Sequence, residues 1–158
     1  ATYRGMLVMN SHRARFAEGL TMVERGLDTA RRAGLEQTAL GIARGLAFGY
    51  IYDGRFAEAS RTIDNVLRGL EAADPRRNTD LYLGSHFLAD MIYFWSDEFE
   101  IAERDARETH ARAKEAPNRT VTSGTSGILA WIFLLRGDLS EARRWADESL
   151  AIAEAIGN

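Results

Sequence analysis

One phrase recurs four times along the chain: a turn, then an aromatic residue or leucine, two further residues and a small residue. It reads Ala14-Arg15-Phe16-Ala17-Glu18-Gly19, Gly54-Arg55-Phe56-Ala57-Glu58-Ala59, Asp97-Glu98-Phe99-Glu100-Ile101-Ala102 and Gly137-Asp138-Leu139-Ser140-Glu141-Ala142. The anchors Phe16, Phe56, Phe99 and Leu139 are spaced by 40, 43 and 40 residues. Self-similarity at such a period marks a repeat architecture, in which each unit buries its apolar face on the next.

Helical periodicity brackets each copy. Leu46, Ala47, Tyr50 and Ile51 precede the second at three- and four-residue spacing, and Phe56, Ala59, Ile63, Val66, Leu67 and Leu70 follow it. Leu129, Ala130, Phe133 and Leu134 precede the fourth; Leu139, Ala142, Ala146, Leu150 and Ala153 follow it. No alternating stretch suggests a strand. Gly34 stands where a left-handed helix cap belongs, and Pro75 and Pro117, the only prolines, fall just past long helical patterns that they cannot continue. These signals predict an all-α chain of eight helices, approximately 2–12, 15–33, 36–52, 55–73, 79–96, 98–116, 120–136 and 139–156. They form four antiparallel pairs in units 1–34, 35–76, 77–118 and 119–158, a single array. With Ala1 in place of an initiator methionine and the helical pattern beginning at about Tyr3, the chain reads as a piece of a longer protein.

The second unit reads Ala43-x-x-Leu46-Ala47-x-x-Tyr50, then Gly54-Arg55-Phe56-x-x-Ala59-x-x-x-Ile63. The fourth reads Leu129-Ala130-x-x-Phe133, then Gly137-Asp138-Leu139-x-x-Ala142-x-x-x-Ala146-x-x-Ser149-Leu150. Both resemble the tetratricopeptide repeat (TPR), in which small residues let paired helices approach and an aromatic fills the wedge between them. The resemblance spans essentially the whole chain and implies a right-handed TPR-like α-solenoid. Two units depart from the pattern: Ala14 stands at a turn glycine's position, and Asp90 occupies a slot that is otherwise small and uncharged. The period also exceeds the usual TPR length of about 34 residues; HEAT and armadillo units, at about 40–47, are the alternative. HEAT units carry a proline inside their first helix, whereas both prolines here lie between units. A longer repeat with arginine- and alanine-rich second helices resembles the array of MalT-type ATP-binding bacterial transcription regulators. It is also similar to modules of multidomain nucleotide cyclases and ATPases. That resemblance implies a cytoplasmic interaction or sensor module in signalling or transcription regulation, or else the regulatory domain of such an enzyme.

The net charge of −3 gives no basic surface for nucleic acid. There is no cysteine, which removes disulfides and thiolate zinc sites, and the longest apolar run, Ile128 to Leu135, is too short to span a bilayer. Lys114 is the only lysine, and an arginine-, alanine- and glycine-rich composition resembles that of GC-rich bacterial genomes. His12, His86 and His110 lack metal-binding spacing. Thr122-Ser123-Gly124-Thr125-Ser126-Gly127 lacks the ending of a phosphate loop and reads as a small-residue helix start. No G-x-S-x-G elbow is present. The chain is expected to be non-enzymatic, with no metal and no cofactor. Arg136-Gly137-Asp138 matches an adhesion tripeptide but sits in the repeat's turn, with Gly137 at the reversal, Asp138 as helix cap and Arg136 at a helix end.

In the implied solenoid the first helix of each unit lines a concave groove. Removing the positions used inside each pair leaves Arg4, Val8 and His12, then Arg44, Phe48 and Tyr52, then Phe87, Met91 and Trp95, then Trp131 and Leu135. Aromatics and methionine predict an apolar surface for a peptide, a protein domain or a small apolar ligand, with a second copy of the chain as a further candidate. His86 and Asp90 share one helix face. Asp90, in so apolar a helix, is expected to pair with an arginine of an adjacent helix, or to anchor a polar group in the groove, with Arg44 as a companion.

Overall fold

The computed structural model describes residues 16–73 and 78–157. Among them are helices and turns and no strand. The helices are α1 (Phe16–Arg32), α2 (Glu36–Tyr52), α3 (Phe56–Ala72), α4 (Thr79–Trp95), α5 (Phe99–Glu115), α6 (Arg119–Leu135) and α7 (Leu139–Ile156). The spans expected at 36–52 and 139–156 coincide with α2 and α7, and those expected for the other described helices differ by one residue at one or both ends. The helix expected at 2–12, with Arg4, Val8 and His12, lies outside the described residues, as does Pro75. The chain divides into two compact units, one holding α1 to α3 and the other α4 to α7.

The helix ends follow from local chemistry. After α1 the Leu35 amide donates to the Ala30 carbonyl at 3.0 Å; after α2 Arg55 reaches back to Tyr50 at 2.8 Å. Glu98 does the same to Tyr93 at 2.9 Å, and Asp138 to Phe133 at 3.0 Å. A six-to-one bond of this kind needs a left-handed residue just before the donor. Gly34, Gly54 and Gly137 supply it with φ of 66°, 74° and 79°. At the turn between α4 and α5 Asp97 takes φ 61°. An aspartate tolerates that region less well than glycine does, at a cost of roughly 1 kcal/mol. Asp97→Gly is therefore expected to stabilise the second unit by about 0.5–1 kcal/mol, read as a rise in urea midpoint at constant m value. An unchanged or lowered midpoint would show that the Asp97 side chain makes a compensating contact.

Helix starts are equally local. The side chains of Asn78, Asn118 and Asp138 accept from the amides of Leu81, Val121 and Glu141 at 3.1, 3.0 and 3.1 Å. Each satisfies one otherwise orphaned donor of the first turn. These amide bonds hold the Asp138 carboxyl below its ordinary range, with help from the Ser140 hydroxyl. Asn118 also donates to Asp80 at 2.9 Å, tying the start of α6 to the start of α4.

In the first unit α2 packs on both α1 and α3. Its core joins Leu20, Val23 and Leu27 of α1 to Leu46 and Tyr50 of α2 and to Ile63 and Val66 of α3, all buried. Ala47 and Ala59 are fully buried and let α2 and α3 approach closely, while the Tyr50 hydroxyl donates to Glu24 at 2.9 Å. In the second unit each helix packs on the next, and α6 also packs on α4, so α6 seats between α4 and α5. Phe94, Ala102, Ala106, Leu129, Ile132, Phe133 and Trp145 form the main core there. Charge collects on the outer helices, as in the Arg107–Glu103 pair at 2.9 Å and the Arg144–Glu141 pair at 2.7 Å. Such exposed pairs contribute well under about 1 kcal/mol each.

Candidate functional site

Helical spacing places Phe48 and Tyr52 one turn apart on α2, where both rings are exposed and meet at 4.8 Å between centroids. Arg44, one turn earlier, is half-buried. All three belong to the first unit. The other expected groove residues belong to the second unit and fall into three groups.

Trp95 at the end of α4 and Trp131 and Leu135 on α6 are open to solvent, at 57, 58 and 60% exposure. Phe87 and Met91 are half-buried and pack against the main core. The Phe87 ring lies over Gly124, so closely that a β-carbon there would come within 2.6 Å of it. His86 is half-buried with its ring edge-on to Tyr82 at 4.5 Å.

Asp90 departs from expectation. It is fully buried, and among the described residues neither carboxylate oxygen has a hydrogen-bond partner within 3.5 Å, arginine included. Among the described residues the expected ion pair is not formed, and full burial takes the carboxyl off the groove surface. Register explains why: with repeats of 43 and 40 residues, Asp90 occupies the small-residue position held by Ala47 and Ala130, and Ala47 is likewise fully buried. Burial pushes its carboxyl up to about 8. The Thr109 hydroxyl on α5 pulls the other way, and Asp105 and Glu108 of the same helix add to the rise. At neutral pH this is a protonated acid inside an apolar layer.

Beside it lies a polar layer that sequence reasoning missed. His110 on α5 is buried, with Nδ1 at 3.2 Å from Thr125 Oγ1 and 3.3 Å from Ser126 Oγ on α6. Its Nε2 is 3.4 Å from Glu148 on α7, which also accepts from Lys114 at 3.0 Å. The two hydroxyls lie on the Nδ1 side of the ring and the carboxylate on its Nε2 side, so His110 links α6 to α7. The Trp145 ring closes the layer edge-on at 5.1 Å. Burial holds the imidazole below its ordinary pKa, and Glu148 opposes that shift.

Hydroxyl, imidazole and carboxylate in sequence are the parts of a nucleophile relay. Here Ser126 and Thr125 are fully buried, and both hydroxyls also serve helix carbonyls, Ser126 donating to Thr122 at 3.0 Å and Thr125 to Val121 at 2.9 Å. No substrate reaches them in this arrangement. A signal was present in the sequence, since Thr122, Thr125 and Ser126 share one face of an otherwise apolar helix. What the residues opposite that face would be, the sequence did not say.

Among the described residues no group of three His, Asp or Glu side chains could hold a metal ion. None of the described helices is long and apolar enough to cross a membrane. No family model matches the chain, and no curated protein matches it.

Proposed function

We propose that this chain is a non-catalytic, TPR-like interaction or sensor module of a cytoplasmic bacterial regulator. Its binding surface is the apolar face of the first helix in each pair, and its ligand a peptide, a partner domain or a small apolar molecule. One observation carries the reading: Trp95, Trp131 and Leu135 are exposed on two helices that pack side by side. Large aromatics left in water on adjacent helices are the usual anchors of a binding surface. The repeated left-handed turn at Gly54, Asp97 and Gly137 supports the TPR-like architecture. The buried state of Ser126 and His110 supports a non-catalytic role. The MalT-type setting rests on the resemblance of the repeats.

The test is selection of peptides from a displayed library against the folded chain, followed by NMR of the indole N–H signals. Selected peptides are expected to shift the Trp95 and Trp131 signals and spare that of buried Trp145. Trp95→Ser is expected to weaken binding at least about 10-fold, since truncating a hot-spot aromatic costs about 2 kcal/mol or more. Binders indifferent to Trp95→Ser, or a library that yields none, would sink the proposal.

A further inference from the structure

The last pair of helices leaves one face open. Between α6 and α7 runs an apolar groove of about 600 Å³, lined among others by Trp131, Leu134, Leu139, Ala146, Leu150 and Ala153. Leu139 and Leu150 are 66 and 58% exposed. The 40-residue register gives this face its meaning. Leu134, Ala142, Ala146, Ser149, Leu150 and Ala153 stand where Phe94, Ala102, Ala106, Thr109, His110 and Ala113 stand one repeat earlier. Those earlier residues are all buried, in the unit where α6 packs against both α4 and α5. The groove of α6 and α7 is thus the next seat in an interface that the molecule already builds once.

Charge indicates what fills the seat. Where α6 lies on α5, Arg136 at the C-terminal cap of α6 pairs with Glu103, the fifth residue of α5. The fifth residue of α7 is Arg143, so an incoming helix must carry an acid near its C-terminal end. The chain has such a helix in α7 itself, where Glu154 lies in the last turn and is exposed. Arg143, Leu150 and Glu154 follow one another at seven and four residues, so they share a stripe. Consecutive helices joined by tight turns run antiparallel, as α6 does to α5. Two copies of α7 related by a two-fold axis perpendicular to the helices are antiparallel as well. Each would lie along the partner's α7 while facing its α6, with small Ala146 and Ala153 permitting close approach. Within one chain, and among the described residues, Arg143 has a long, exposed contact to Asp147 at 3.8 Å.

We propose that the chain forms a two-fold homodimer in which α7 of each copy occupies the α6–α7 groove of the other. Arg143 of one copy then meets Glu154 of the other, twice by symmetry. Such an isologous interface covers both open faces at once and closes the assembly. It shares Trp131 with the proposed ligand surface, but Trp95 does not line this groove, so loss of peptide binding in Trp95→Ser and loss of the dimer in Leu150→Glu are separate outcomes.

The test is solution mass by light scattering and native mass spectrometry of the whole chain, up to about 100 μM, a range that captures micromolar association. Wild type is expected to be dimeric. Arg143→Glu and Glu154→Arg, both at exposed positions, are each expected to raise the dimer Kd at least about 10-fold, because each places two like-charge pairs in the interface. The double variant R143E/E154R is expected to restore the dimer, and Leu150→Glu to abolish it. Circular dichroism confirms that the variants remain folded. A wild-type monomer at the highest concentration overturns the proposal and leaves the groove to a helix of another polypeptide. So does a dimer insensitive to Leu150→Glu, or a double variant no tighter than the single ones.

Discussion

Replacing Asp90 with alanine is expected to stabilise the second unit by about 2–4 kcal/mol at pH 7. The carboxyl is fully buried, without a hydrogen bond within 3.5 Å among the described residues, and raised to about 8. In the unfolded chain it titrates at about 3.9. Between those values the folded state keeps a proton that the unfolded state releases. The stability is therefore fully present below about pH 4 and lost as pH rises toward 8, with a slope of up to about 1.4 kcal/mol per pH unit. By pH 7 roughly three units of that slope have acted; the small cavity left by the truncation offsets part of the gain. Alanine already fills this position in two other repeats, at Ala47 and Ala130. The measurement is the urea midpoint of both proteins from pH 5 to 9. The two curves should converge toward acid and separate toward neutrality. Parallel curves would show that Asp90 reaches water or a cation in solution.

His110→Ala should act in the opposite direction, lowering stability by about 2–4 kcal/mol through a cavity and the loss of buried hydrogen bonds. The ring contacts Thr125, Ser126, Glu148 and Trp145 together, so no single neighbour can close the space. His110→Leu should recover most of that loss. Leucine occupies the same position in the adjacent repeats, at Leu67 and Leu150, and the hydroxyls keep their helix carbonyls. The linkage sign also differs from that of Asp90. The folded imidazole is depressed below 6.5, so its contribution is present above that value and lost as pH falls through the folded pKa. His110→Leu should flatten this acid limb. If alanine and leucine prove equally destabilising, hydrogen bonding and not packing holds this layer together.

What the sequence made legible was whatever is decided within a few residues. Helix ends were read to within one residue because Asn118, Asp138, Gly54 and Gly137 act on their own turns through bonds that span at most five positions. The exposed aromatics were legible too, since Trp95, Trp131 and Leu135 fall off the stripe used for helix pairing. Asp90 was identified as anomalous but given an arginine partner that none of the described residues supplies. Its environment is set by α5, more than ten residues away, and apolar periodicity carries no information about which polar groups face one another. The His110 layer failed for the same reason. Its members Lys114, Ser126 and Glu148 come from three helices, and each alone looks like an ordinary surface or small-residue position.

The self-closed turns have a consequence for how the chain reaches its fold. Among the described residues every helix contact within either unit joins neighbours in sequence, or α4 to α6 one pair further on. Little loop entropy must be lost before the first native contacts form, so contact order is low. A helical protein of this kind is expected to fold in microseconds to milliseconds. Hairpin formation at Gly54 or Gly137 can begin in either unit without waiting for the other, which makes each reversal a point from which order spreads.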